Sequence, residues 1–182
     1  AAQEFAEDKL GKGVIIANDV PGFVANRVGV QTMNDIMYRA EEGGISISDT
    51  DALTGRAIGR PSTGTYGLSD LVGIDIAVTV TKGMQQVPGQ AQFFKSTQTA
   101  EKLVADGALG RKAKKGFYKK EKNQILVYNA ESNDYVEQSK PQYPILSQFS
   151  KDLKSNMDVI FNAEDEAGLF MWETLRNNFY YS

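Results

Sequence analysis

Along the 182-residue chain the apolar positions recur mostly every three or four residues, the period of helices with one buried face. Phe5, Ala6 and Leu10 open this pattern over residues 3–10, and Gly11 and Gly13 end it. The run Val14-Ile15-Ile16-Ala17 then reads as a short strand. A lone strand has two unpaired edges, so this one is expected to join a sheet whose other strands precede residue 1. Asn18-Asp19-Val20-Pro21-Gly22 offers a cap and a first-turn proline. Beyond it Phe23, Val30, Met33, Met37 and Ala40 mark a long helix, with Val24, Val28 and Ile36 widening the stripe towards two flanks. Gly43-Gly44 supplies its left-handed stop after about Glu42.

Ser48-Asp49-Thr50-Asp51 is expected to cap a short helix through Ile58, its acids near the positive end of the helix dipole. A loop over residues 59–67, a helix over about 69–84 and another over about 99–106 follow. The period changes after Gly116. Phe117-Tyr118, Ile125-Leu126-Val127-Tyr128 and Tyr135-Val136, separated by polar turns, predict a small β-meander and an internal boundary. Helical spacing returns over 145–161 (Ile145, Leu146, Phe149, Leu153, Met157, Ile160) and over 163–181 (Ala167, Phe170, Met171, Leu175, Phe179). The fold class is therefore mainly α, with a small β-meander and further C-terminal helices.

Composition narrows the functional classes. Hydrophobic residues at 41% and charged residues at 24% describe a globular chain of one domain or slightly more. No apolar run approaches the ~20 residues of a membrane span. A net charge of −3 argues against a general nucleic-acid binder, so any basic site is local. The absence of cysteine removes disulfides and thiolate chemistry and fits a reducing compartment, with cytoplasm the expected location. The N-terminus is an acidic amphipathic pattern, unlike a secretory signal, and is expected to be a cut inside a longer chain.

Histidine is absent too, which leaves only carboxylate, lysine or tyrosine for acid/base work near neutrality. There is no Gly-x-Ser-x-Gly elbow. Gly11-Lys12-Gly13 is half of a dinucleotide fingerprint, and Asp49 and Asp51 lack the further ligands and glycine of an EF-hand, so no cofactor or metal site is expected within this chain. Two segments exceed the needs of packing. In Pro21-Gly22-Phe23-Val24-Ala25-Asn26-Arg27 an amide and a guanidinium enter an otherwise apolar helix start. Asn26 suits polarising a substrate carbonyl or fixing another side chain; satisfying neighbouring groups is the plainer role for both residues. The second segment, residues 107–118, carries Arg111, Lys112, Lys114 and Lys115, which fit either a phosphate-bearing ligand or a solvated loop.

Asp19-Val20-Pro21-Gly22-Phe23-Val24-Ala25-Asn26-Arg27 resembles the opening of the C-terminal domain of 3-hydroxyacyl-CoA dehydrogenases. Asp49-Thr50-Asp51-Ala52, Gly59-Arg60-Pro61, Leu68-Ser69-Asp70-Leu71-Val72-Gly73-Ile74-Asp75 and Gly116-Phe117-Tyr118 follow in that family's order, so the likeness covers about residues 10–120. It implies an upstream Rossmann domain that binds NAD and carries the catalytic histidine with its glutamate. The present chain would then close the cleft over an acyl-CoA substrate and take part in a homodimer. Asn26 matches an asparagine beside the catalytic histidine, which implies an auxiliary catalytic role. Two departures stand out: the loop Pro61-Ser62-Thr63-Gly64-Thr65-Tyr66 is one residue longer than the family's, and Lys114 replaces a frequent glycine.

Residues 121–182 resemble the longer bacterial fusions that continue into an enoyl-CoA hydratase domain. The implied layout is 1–17 as the tail of the Rossmann domain, 18–120 as the helical domain, 121–144 as meander and linker, and 145–182 as a degenerate second helical unit. The isolated chain is expected to be inactive. The residues alone leave open a module for subunit or interdomain assembly that touches no substrate.

Overall fold

The computed structural model of the chain describes residues 1–20 and 22–182. Among them are eight α-helices, short 3-10 turns and one antiparallel sheet, in agreement with a mainly α chain bearing a small meander. Helix α1 (Ala2–Glu4) runs on through π-helical turns over Phe5–Lys9. Residues 14–17 correct the expectation of a strand: they belong to none, and Ile15 and Ile16 are 81% and 82% exposed. Among the described residues the sheet pairs its three strands with one another, and residues 14–17 make no backbone hydrogen bond.

Helix α2 (Val24–Glu42) begins later than the caps proposed for it, and Pro21 lies outside the described residues. The boundary residue is Phe23, extended at ψ 144 and without a side-chain acceptor, so Asn18 and Asp19 sit too far back to cap. The stop is as expected. Gly44 takes φ +67, and the Ile45 N–H reaches the Ala40 carbonyl at 2.9 Å, closing the last turn.

Helix α3 (Ile47–Leu53) is capped by Ser46 rather than by the serine and acids after it. Its Oγ accepts the Asp49 N–H at 3.2 Å and donates to the Asp49 carboxylate at 2.7 Å. A 3-10 turn, Arg56–Ile58, replaces the rest of the expected helix. Helix α4 (Gly64–Val72) then starts five residues before the sequence suggested, and a break at Gly73 separates it from α5 (Ile74–Gln85). The early start has a tertiary cause. Asp51, from α3, accepts the first-turn N–H groups of Tyr66 at 2.6 Å and Gly67 at 2.9 Å. Helix α6 (Gln98–Ala105) is held the same way, its Gln98 and Thr99 N–H groups donating to Glu41 of α2 at 2.9 Å.

Strands β1 (Tyr118–Glu121), β2 (Gln124–Asn129) and β3 (Asp134–Glu137) form the expected meander, with Tyr118 opposite Val127 and Val127 opposite Val136. The segment expected as one helix over 145–161 is divided into a 3-10 turn, Pro144–Gln148, and α7 (Leu153–Phe161). Asn156 accepts the Ser150 N–H at 2.8 Å and Asp152 accepts the Ser155 N–H at 3.0 Å, so polar side chains turn the backbone between the two pieces. Helix α8 (Glu166–Tyr181) ends the chain.

Two hydrophobic clusters share α2. Ile36 and Ala40 pack with Leu53, Ile145, Ile160, Met171 and Leu175, while Met37 joins Tyr66, Ile74, Leu103, Phe117 and Val127. Each fully buried Ile, Leu or Phe contributes about 1.5–3 kcal/mol. Residues beyond 120 thus complete cores begun by the preceding helices. Arg39 ties α2 to α8 by pairing with Glu173, and it also pairs with Asp35 of its own helix at 3.0 Å.

Candidate functional site

Asn26 occupies the first turn of α2 and is exposed, as is Phe23 beside it at 81%. Half-exposed Val24 joins Arg27, Val28, Phe93, Tyr180 and Tyr181 around a shallow recess between the start of α2 and the end of α8. Arg27 is half-buried, and its Nε has no hydrogen-bond partner among the described residues. The chain's clearest motif therefore ends in an amide that faces outwards from an apolar rim, at the positive end of a long helix.

A second arrangement, unforeseen from the sequence, lies where α3, α4 and β1 meet. Asp51 accepts the Tyr118 O–H at 2.8 Å in addition to the two α4 N–H groups. Asp70, near the other end of α4, accepts the N–H groups of Phe117 at 2.9 Å and Tyr118 at 2.8 Å. Tyr118 is thus held by its backbone and its hydroxyl to two different carboxylates. Gly116 must be glycine for this: a Cβ there would collide with the Asp70 carboxylate and with Gly110. Tyr66 stacks edge-on against Phe117 beneath the junction, 4.6 Å between ring centres. Burial pushes the carboxyl groups of both Asp51 and Asp70 up to about 6, although the donors around each pull the other way, aided at Asp70 by the charge of Arg111. Burial likewise raises the Tyr118 phenol, which the neighbouring Asp51 charge keeps protonated.

An open recess of about 970 Å³ lies over this junction. Its walls include Asp51, Asp70, Ser62 and Thr63, and its rim carries Arg111, Lys114, Lys119, Lys120 and Lys122. Of the four cations singled out in residues 107–118, the structure brings only Arg111 and Lys114 here. Lys112 pairs with Asp75 at 2.6 Å, and Lys115 leans on the Asp106 carbonyl at 3.4 Å. Strand β1 and its turn supply the other three, a continuation of the basic run that the sequence displays past Tyr118. Asn26 does not line this recess. Met37, packed in the cluster with Tyr66 and Phe117, already lies about 16 Å along α2 from Asn26 at ~1.5 Å per residue.

No helix among the described residues is long and apolar enough to cross a membrane. In sequence the chain is 46% identical over 121 residues to a "Probable 3-hydroxyacyl-CoA dehydrogenase" of Deinococcus radiodurans, covering 66% of this chain and 35% of that protein. A Bacillus subtilis protein of the same name is 31% identical over 182 residues, which is 98% of this chain and 23% of its own length. The second match therefore takes in the meander and the last two helices. The chain spans about a third or less of these relatives. In structure it is similar to M. tuberculosis FadB2, with a TM-score of 0.50 and 29% identity over 66% of this chain and 41% of that one. The model of the 3-hydroxyacyl-CoA dehydrogenase C-terminal domain matches residues 22–120, from the turn before Asn26 to the strand after the Asp70 junction. That span holds Asn26, Asp51, Asp70 and Tyr118 and covers more than half of the chain, which belongs to the 3-hydroxyacyl-CoA dehydrogenase family by way of its C-terminal domain.

Proposed function

We propose that the whole protein is an NAD-dependent 3-hydroxyacyl-CoA dehydrogenase of fatty-acid β-oxidation, which oxidises 3-hydroxyacyl-CoA to 3-oxoacyl-CoA, and that this chain forms one wall of its substrate cleft. The observation that carries the proposal is the exposed Asn26 amide in the first turn of α2, just after exposed Phe23 and half-exposed Val24. Apolar side chains this bare around a polar donor suit a surface that a second domain closes over. In this proposal residues 1–17 are the tail of that Rossmann domain, which supplies the histidine this chain lacks.

NAD belongs to the same domain. Gly11-Lys12-Gly13 follows a helical turn and leads into irregular backbone, so it does not make the strand-to-helix phosphate loop that a dinucleotide needs, and no cofactor step is assigned to these residues. What the chain supplies is a hydrogen bond. The Asn26 amide donates to the substrate's 3-oxygen as it becomes a carbonyl, or holds the histidine that takes its proton, and exclusion of water by the apolar rim strengthens that bond. In the full-length enzyme Asn26→Ala is expected to lower kcat about 10- to 100-fold. Wild-type turnover in the folded variant would refute the catalytic role.

Three further parts of the proposal have tests of their own. The isolated chain turns over no 3-hydroxyacyl-CoA when NAD is added. The exposed corner formed by Leu71, Val72 and Ile76 suits a homodimer, which sedimentation of the full-length protein would detect. The near-complete match to a relative more than four times as long supports a longer protein, and the added length is proposed to include an enoyl-CoA hydratase domain, testable by hydration of a 2-enoyl-CoA. If Asn26→Ala is silent while the dimer persists, the chain is an assembly module.

A further inference from the structure

The rim of the recess above the Asp51–Asp70 junction concentrates five cations on a chain whose net charge is −3. Among the described residues only Lys119 has an acidic partner, Glu121 at a loose 3.7 Å; Arg111, Lys114, Lys120 and Lys122 are in no ion pair. The two carboxylates on the floor are already engaged by five donors, three of them from Tyr66, Gly67 and Phe117 and two from Tyr118. They hold the backbone and form an ion pair with none of the outer cations.

Backbone conformation adds an independent sign. Among the described residues three non-glycine ones have positive φ, and two of them are rim lysines: Lys114 at 59° and Lys122 at 52°. Glycine occupies such positions at lower cost, so a lysine kept there points to a use for its charge. Lys114 follows Arg111-Lys112-Ala113 in a 3-10 turn, and Lys122 begins the two-residue turn between β1 and β2. Two unrelated turns thus each place a strained lysine on the same opening. Beneath them the Thr63 hydroxyl is buried without a partner among the described residues, while Ala52, Ile125 and Pro141 give the wall an apolar strip.

From this convergence of four unpaired cations, two of them at positive φ, on an open cavity with an apolar strip, we infer that the recess binds a small molecule bearing several phosphate groups on a flat apolar body, a phosphorylated nucleotide. Arg111, Lys114, Lys120 and Lys122 meet its phosphates, and the Ile125 strip takes the base. Two sources share this chemistry: the phosphorylated nucleotide end of a CoA thioester, and a free nucleotide acting as an effector. The first source rests on the activity proposed above; the site itself does not.

The test is calorimetric titration of the chain with CoA, dephospho-CoA, ADP and inorganic phosphate at low and moderate salt, repeated with the double variant Lys114→Gly/Lys122→Gly. Glycine suits both turns, so the variant is expected to melt no lower than wild type and any lost binding cannot be blamed on unfolding. Binding of CoA or ADP that weakens about tenfold or more in the variant and falls as salt is raised supports the site. CoA preferred to dephospho-CoA and ADP identifies the thioester's nucleotide end, and equal binding of ADP identifies a free effector. If neither CoA nor ADP binds, or the variant binds them as wild type does, the inference is overturned. ADP binding without CoA binding would sink the link to acyl-CoA while leaving the site standing.

Discussion

The head of α2 and the Asp51–Asp70 junction lie in the same family domain and treat their polar groups in opposite ways. At the head of α2 an amide faces outwards among exposed apolar side chains. At the junction two buried carboxylates answer five donors and knit α3, α4 and β1 together. Removing a group should therefore cost function at the first and stability at the second. Loose fixing is what a surface awaiting another molecule requires, and full satisfaction is what a scaffold requires.

The largest expected effect is at the junction. Asp70→Ala leaves the Phe117 and Tyr118 N–H groups without acceptors, at a cost of about 3 kcal/mol read from urea denaturation of the chain. A loss below about 1 kcal/mol would mean that the junction is ornamental.

A change of pH comes next. Both carboxyl groups are held at about 6 in the folded chain, above their ordinary 3.8, so the native state binds protons more tightly than the unfolded one. Their contribution is complete below about pH 4 and is lost as pH rises through 6. Acidification from pH 7 to 5 is expected to stabilise the chain by about 1 kcal/mol for each group, and Asp70→Ala to remove about half of that slope. A midpoint that falls over this window would reverse the assignment.

Tyr118→Phe removes only the hydroxyl from Asp51, which keeps its two N–H donors, so about 1 kcal/mol is expected. Smallest of all, Asn26→Ala should shift stability by less than about 0.5 kcal/mol, whatever it does to turnover. An Asn26 variant that unfolds as readily as Asp70→Ala would erase the contrast.

The sequence disclosed some of these features and concealed others, for physical reasons. The α2 stripe, the glycine stop at its end, the meander and the α8 pattern each follow from residues that are neighbours in the chain, and periodicity registers such neighbours. The start of α4 was misplaced because its cap comes from Asp51, a residue on another helix, and α6 is likewise capped by Glu41. Local capping rules see only a Ser-Asp-Thr-Asp run and assign its acids to the helix they stand in. The strand expected at 14–17 failed because strand formation is a property of pairs. At the candidate sites, Asn26 was legible through a motif. The recess was only half legible: its basic run was visible, but convergence of Lys114 with Lys119, Lys120 and Lys122 depends on the β1–β2 turn and the 3-10 turn at 111–113 facing the same opening.

Because both clusters draw on α2, synthesis of the chain completes them at different times. The cluster around Met37, Tyr66 and Phe117 has its residues once Tyr135 has emerged, whereas the face carrying Ile36 and Ala40 waits for α8. At about 5–20 residues per second, roughly 45 residues of delay leave that face bare for about 2 to 9 seconds. The nascent protein thus carries a timed vulnerability, a greasy helix flank open to chaperones or to stray association until α8 leaves the ribosome.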